Sequence, residues 1–349
     1  MQFNKFLNFF LIILIFGCRK KSIQQNDVSN IKDAGYLVLN EGLFNQNNAT
    51  LTWYDVESNS ITEDVFQTKN ERGLGDTGND LIRYGNKIYV VVNVSSTIEV
   101  LDAKTLVSLK QIPMINDAKP KQPRNIVGYG NKVYVSCFDG YIDVIDTVSF
   151  QILNRIKVGL NPENLCVVNQ QLFVSNSGGL NPPKMDSTIS VIDLNSDSEI
   201  KKIVLGVNPG TIIKGLNNTI YAITRGNYND ISPQWKLLNF QTGTIEKVFK
   251  ESILSLELFQ DTLLLVNQDN KYIKLFSMQL NEYKNTNFIS LENFVNPYNI
   301  QYFLPSKEIC VTDANGYVNQ GYVFVFDEIG KLKLKFKSGL NPSKIIRYE

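Results

Sequence analysis

The 349-residue chain contains no histidine. That absence removes the commonest general base and the commonest metal-ligating side chain together. A Ser-His-Asp or Cys-His nucleophile cannot be assembled, and neither can a zinc site built on imidazole. An excess of one charge is also lacking, since 35 Lys and Arg face 34 Asp and Glu. With no basic stripe and no acidic tail, there is no electrostatic footprint for nucleic acid. Helical periodicity is absent, and with it any Gly-rich phosphate loop leading into a helix. No pair of carboxylates stands at catalytic spacing. Cysteine is scarce, at 4 residues. Cys137, Cys166 and Cys310 each sit in an apolar strand-like run, and they read as buried free thiols rather than a disulfide framework.

What the chain does have is 16 Tyr and 20 Phe, with short alternating Val/Ile runs punctuated by Gly, Asn, Asp and Pro. That composition predicts an all-β fold. The amino terminus differs from the rest. Lys5 precedes the apolar run Phe6 to Phe16, which is too short to span a bilayer comfortably and fits the h-region of a signal peptide. The run leads into Ile15-Phe16-Gly17-Cys18, which resembles the bacterial lipobox. Residues 1–18 are therefore expected to be a lipoprotein signal whose Cys18 carries acyl chains, several of which give firm anchoring. Residues 19–34 are polar and aperiodic and read as a flexible tether.

From residue 35 to 349 the chain repeats itself. The segments LTWYD, IEVLD, IDVID, ISVID, WKLLN, YIKLFS and VFVFD end at residues 55, 102, 146, 193, 239, 277 and 327. Steps of that size suit four short strands and their turns, so the repeats predict a seven-bladed β-propeller of four-stranded blades. An Asp at such a strand end, followed by Thr or Ser, closes an Asx-type turn and belongs to the scaffold. Pro follows Asn at 161–162, 208–209, 296–297 and 341–342, at a strand entrance where no ladder donor is lost. Pro123-Arg124 holds the corresponding place in another unit. The first repeat begins at its second strand, Tyr36, and the carboxy-terminal Lys344 to Tyr348 supplies a spare first strand. The ring is thus expected to close by pairing the C-terminal strand with the N-terminal blade, which removes an open edge.

The copies LFVSNSGG, ISVIDLN and IKVGLNPEN resemble the YVTN/YncE-like propellers. The opening GYLVLNEGLFNQNNATLTWYDVESNSITEDVF, with LGD and IYVVVNVSSTIEVLDAKT after it, is similar to propeller lipoproteins of Bacteroidota. These include the cobalamin-binding BtuG type, which partners a TonB-dependent transporter. The resemblance implies an outer-membrane, surface-displayed lipoprotein that captures a corrinoid such as cobalamin, without enzymatic activity or a cofactor of its own.

In a propeller the loops joining strands two and three open on the same face as the loops joining consecutive blades. Residues expected to converge there as a ligand-binding set are Asn40, Asn93, Phe138, Asn176, Asn267 and Asp313 after the second strands. Arg124 and Tyr298 join them from the inter-blade loops, and Arg225, Tyr228 and Trp235 from one long loop. Amides, arginines and exposed aromatics suit a large amphipathic ligand or a protein partner. Single Asn residues at such ends equally serve as turn formers, and Trp235 could pack against a neighbouring blade. The rival readings are a cell-surface protein–protein scaffold and a lactonase-like propeller hydrolase, the latter disfavoured by the missing histidine.

Overall fold

The computed structural model describes residues 34–267 and 271–349. The lipobox cysteine Cys18, and all but the last residue of the 19–34 tether, lie outside them. The described residues form seven four-stranded antiparallel sheets. The innermost strands are Pro342–Tyr348, Gly78–Tyr84, Pro123–Tyr129, Pro162–Val168, Pro209–Lys214, Ile253–Phe259 and Pro297–Phe303, and they belong in that order to blades one to seven. Each packs beside the next around the axis, and the seventh packs beside the first. Blade one contains both chain ends. Pro342–Tyr348 pairs with Gly35–Asn40 in antiparallel register, Tyr36 opposite Arg347 and Val38 opposite Ile345. The expected seven-bladed, strand-closed propeller is therefore what the chain forms.

The apolar runs explain why the blades stack. Side chains alternate between the two faces of a strand. In the strand Lys87–Val92, Ile88, Val90 and Val92 pack on Leu37 and Leu39 of blade one. Tyr89 and Val91, on the other face, pack on Val133 and Val135 of blade three. Both faces are buried, so the strand reads as a continuous apolar run rather than an alternating one. The same layer recurs at the other blade junctions. Each fully buried Val, Leu or Ile contributes roughly 1.5–3 kcal/mol relative to exposure.

The turns between third and fourth strands follow the repeated Asp. Asp102 Oδ1 accepts the N–H groups of Lys104 and Thr105, Asp146 those of Val148 and Ser149, and Asp193 those of Asn195 and Ser196. Asn239 and Asp327 do the same. Cys137, Cys166 and Cys310 are free thiols, the first and last buried. Burial pushes the Cys166 thiol up to about 11 and raises the Cys137 and Cys310 thiols strongly as well.

Blade one departs from the pattern. Its outermost strand, Ser60–Thr62, has 3 residues and is followed by one short helix, Val65–Asn70, that sequence periodicity does not predict. The strand pairs only as far as Trp53 opposite Thr62. Thr50, Leu51 and Thr52 therefore lack the outer partner that Thr188, Ile189 and Ser190 have in blade four. Asp64 caps the helix by accepting the Gln67 N–H at 3.1 Å, and also accepts the Leu51 N–H. One carboxylate thus both starts the helix and blunts a sheet edge that would otherwise be open.

Candidate functional site

The face carrying the second-to-third and inter-blade loops is the candidate site. At its centre the second residues of the innermost strands meet around the axis. In blade order they are Ser343, Asn79, Arg124, Glu163, Gly210, Leu254 and Tyr298. Arg225 reaches in from the second-to-third loop of blade five, and Glu41 from that of blade one. Arg225 Nη1 lies 2.5 Å from Glu163 Oε2, and Arg124 Nη2 lies 3.6 Å from Glu163 Oε1. Arg124 also donates to Asn79 Oδ1, and its guanidinium lies over the Phe138 ring, 4.7 Å from the centroid. On the far side of the mouth the Tyr298 hydroxyl donates to Glu41 Oε2 at 2.8 Å, and Tyr317 meets Tyr298 edge-on. Burial pushes the Glu41 carboxyl above its usual range against the pull of Tyr298, Arg124 and Lys344. Burial and the adjacent Glu41 carboxylate push the Tyr298 hydroxyl up strongly, so it stays a donor.

The layer beneath holds the blades in register. Asp80 Oδ2 accepts from Asn125 Nδ2 and from the Ile126 N–H, at 3.1 and 3.0 Å. Asn164 Oδ1 accepts the Ile212 N–H at 2.9 Å. Among the described residues, no group of three or more His, Cys, Asp or Glu is placed to hold a metal ion.

The structure separates the sequence-predicted residues into two sets. Arg124, Phe138, Arg225, Tyr228 and Tyr298 reach the mouth or its rim, and Tyr228 is 73% exposed. The other members are buried and serve the scaffold. Asn40 Nδ2 donates to the hydroxyls of Thr50 and Thr52, while its Oδ1 accepts from Ser338 Oγ and the Gly339 N–H. Asn176 repeats the motif on Thr188, Ser190 and Gly159. Asn93 donates to the Pro123 carbonyl and Asn267 to Glu251 Oε2. Asp313 accepts three backbone N–H groups, from Val295, Asn296 and Asn315. Trp235 is not an exposed aromatic. It is fully buried, stacked on Phe249 at 3.8 Å and edge-on to Phe276 in the junction between blades five and six. Large ring area and inward strand register outweighed its position at a loop end.

Sequence reasoning missed Glu163 and Asn79. A signal was available, because the residue after each entrance Pro is the one that faces the mouth: Arg124, Glu163, Gly210, Tyr298 and Ser343 share that offset.

Away from the axis, the same face carries a cavity of about 620 Å³ between blades seven and one. It lies where the outermost strand of blade one stops short. Thr50, Thr52, Gln67, Asn319, Gln320 and Lys337 contribute to its polar lining. Several loop tips on this face expose large apolar side chains: Phe44 at 70%, Leu180 at 60%, Val295 at 62% and Val318 at 68%.

Taken together, these features define a seven-bladed β-propeller with a polar, side-chain-filled axial mouth ringed by apolar loop tips. The chain belongs to the family described as Domain of unknown function (DUF5074), whose model matches residues 34–247. No curated protein matches its sequence. Among solved structures it is similar to a quinonprotein alcohol dehydrogenase-like protein from Bacteroides thetaiotaomicron. That match has a TM-score of 0.66 and 16% identity, covering 92% of this chain and 79% of that one. A chain of Kuenenia stuttgartiensis hydrazine synthase matches at TM-score 0.63 and 14% identity, over 76% of this chain and 88% of that one. The computationally designed protein Ika8 matches at TM-score 0.57 and 13% identity, over 89% of each chain. At such identities the likeness is one of fold.

Proposed function

We propose that this protein is a non-enzymatic, lipid-anchored binding propeller of the outer membrane, displayed at the cell surface. In this reading its loop face captures a large amphipathic nutrient for a TonB-dependent transporter, with a corrinoid such as cobalamin as the leading candidate. The observation that supports it best is the make-up of that face. Arginine, amide and tyrosine side chains gather at the centre, and exposed Phe44, Leu180, Tyr228, Val295 and Val318 stand around them. Exposed apolar groups rimming a polar centre suit a ligand with an apolar body and polar fringe. Corrin rings are broad and amide-fringed, which fits this pairing. Anchoring and location rest on Cys18, and the corrinoid rests on the resemblance of the first repeats.

Calorimetry of cyanocobalamin with residues 31–349, which include every strand of the ring, tests the reading. Saturable heat that Arg225→Ala weakens by roughly 1–3 kcal/mol is expected if that side chain is a central contact. No heat at high micromolar cyanocobalamin would reject the corrinoid. The exposed apolar loop tips would then favour the second reading, a surface scaffold for a protein partner.

A further inference from the structure

Two guanidinium groups at the mouth share one carboxylate. Arg225 approaches one oxygen of Glu163 at 2.5 Å and Arg124 the other at 3.6 Å. Gly210 leaves room for Arg225: a Cβ at that position would sit 3.0 Å from the guanidinium carbon and press it aside by a few tenths of an ångström. Gly210 stands where other blades place Asn79, Arg124, Leu254 or Tyr298, so the vacancy gives Arg225 its place in the ring. The Arg124 guanidinium lies over Phe138, and its buried Nε has no hydrogen-bond partner. The Arg225 side chain is 40% exposed, so donors remain on the solvent side of the pair. The other carboxylate of the mouth, Glu41, stands across the axis and is engaged by Tyr298. Two guanidinium groups thus face Glu163, Glu41 being a more distant counter-charge to Arg124, and guanidinium donors suit two-oxygen anions.

We propose that Arg124 and Arg225 form an oxyanion subsite that seats a carboxylate or phosphate group of the captured ligand beside Glu163. The ligand then carries an anionic group that sits at the axis, with its apolar body against Leu254, Tyr228 and the outer loop tips. This rests on the reading of the loop face as a ligand site. The rival account is that the three side chains only staple blades three, four and five together.

Inorganic phosphate and citrate serve as probes, titrated into the full chain by calorimetry and thermal melting, with potassium chloride at matched ionic strength as control. Saturable binding and a rise in Tm beyond that in chloride are expected for at least one probe, and which one identifies the anion class. Arg225→Gln and Arg124→Gln should each weaken binding at least tenfold. Gly210→Ala, whose Cβ would only nudge the Arg225 guanidinium, should weaken it less, and Lys307→Ala, at a remote ion pair, should not weaken it at all. Far-UV circular dichroism and the melting of each variant without probe report whether it folds, and Arg225→Lys provides a conservative variant that keeps the charge. No difference from chloride, or equal binding by wild type and the Arg124→Gln/Arg225→Gln double variant, overturns the subsite. Cyanocobalamin binding untouched by phosphate and by Arg225→Gln would also overturn it while leaving the capture function standing. Probe binding without cyanocobalamin binding would do the reverse.

Discussion

At the residue scale, the same side-chain type plays different parts according to where the strand ends. Asn40 and Asn176 bond to equivalent strand hydroxyls and to a Gly N–H in different blades, which marks them as staples. Arg124 and Arg225 have no such repetition, and that singles them out. Arg124, Phe138, Arg225, Tyr228 and Tyr298 could be placed at the mouth or its rim from their positions in the repeat, whereas Asn79 and Glu163 were missed. The buried asparagines were not legible as scaffold, because an Asn that binds ligand and an Asn that bonds to a strand edge share the same backbone preference. Trp235 shows the same ambiguity for an aromatic. Trp235→Ala should cost about 3–5 kcal/mol, as large buried aromatics do. Trp235→Phe should cost far less, because the stack on Phe249 survives and the indole N–H has no partner to lose. Urea unfolding of the two variants measures both. A Trp235→Ala protein as stable as wild type would contradict the buried placement.

At the element scale, the repeat was readable because each strand carries its own punctuation. A terminal Asp or Asn closes the next turn in most blades, and Pro opens five of the seven innermost strands. The spare strand at the carboxy terminus was readable for the same reason. What escaped was the departure in blade one. Six helical residues are too few to show a period, and a three-residue strand is too short to show alternation. Pro342–Tyr348 lies between Gly35–Asn40 and two neighbouring innermost strands, so it is central to closure. Deleting residues 340–349 should remove cooperative folding, since the loss of Ile345, Ile346 and Tyr348 from two blade junctions is comparable to a domain's whole stability. A thermal melt unchanged by the deletion would show that the ring does not depend on this strand. Asp64→Ala should be milder, about 1 kcal/mol from the lost helix cap. It should also raise light scattering on concentration, because the Leu51 edge is no longer blunted; scattering equal to wild type would contradict that role.

At the scale of the whole molecule, the ring has two unlike faces. The strand Gly35–Asn40 runs towards the mouth, so the chain enters the propeller from the opposite face. Residues 1–33 lie outside the described residues, and the anchoring proposal has its own test. Labelled palmitate should enter the wild-type chain and not Cys18→Ala, which should leave the membrane fraction. Equal labelling of the two would refute the anchor.

The central claim is that binding belongs to the loop face and its axial mouth. Hydrogen–deuterium exchange of the full chain with and without saturating cyanocobalamin locates binding directly. The account predicts slowed exchange in the loops around Glu41, Arg124, Arg225 and Tyr298, with no change in the Asp-closed turns of the opposite face. Protection confined to those turns, or none anywhere while ligand is bound, would contradict it.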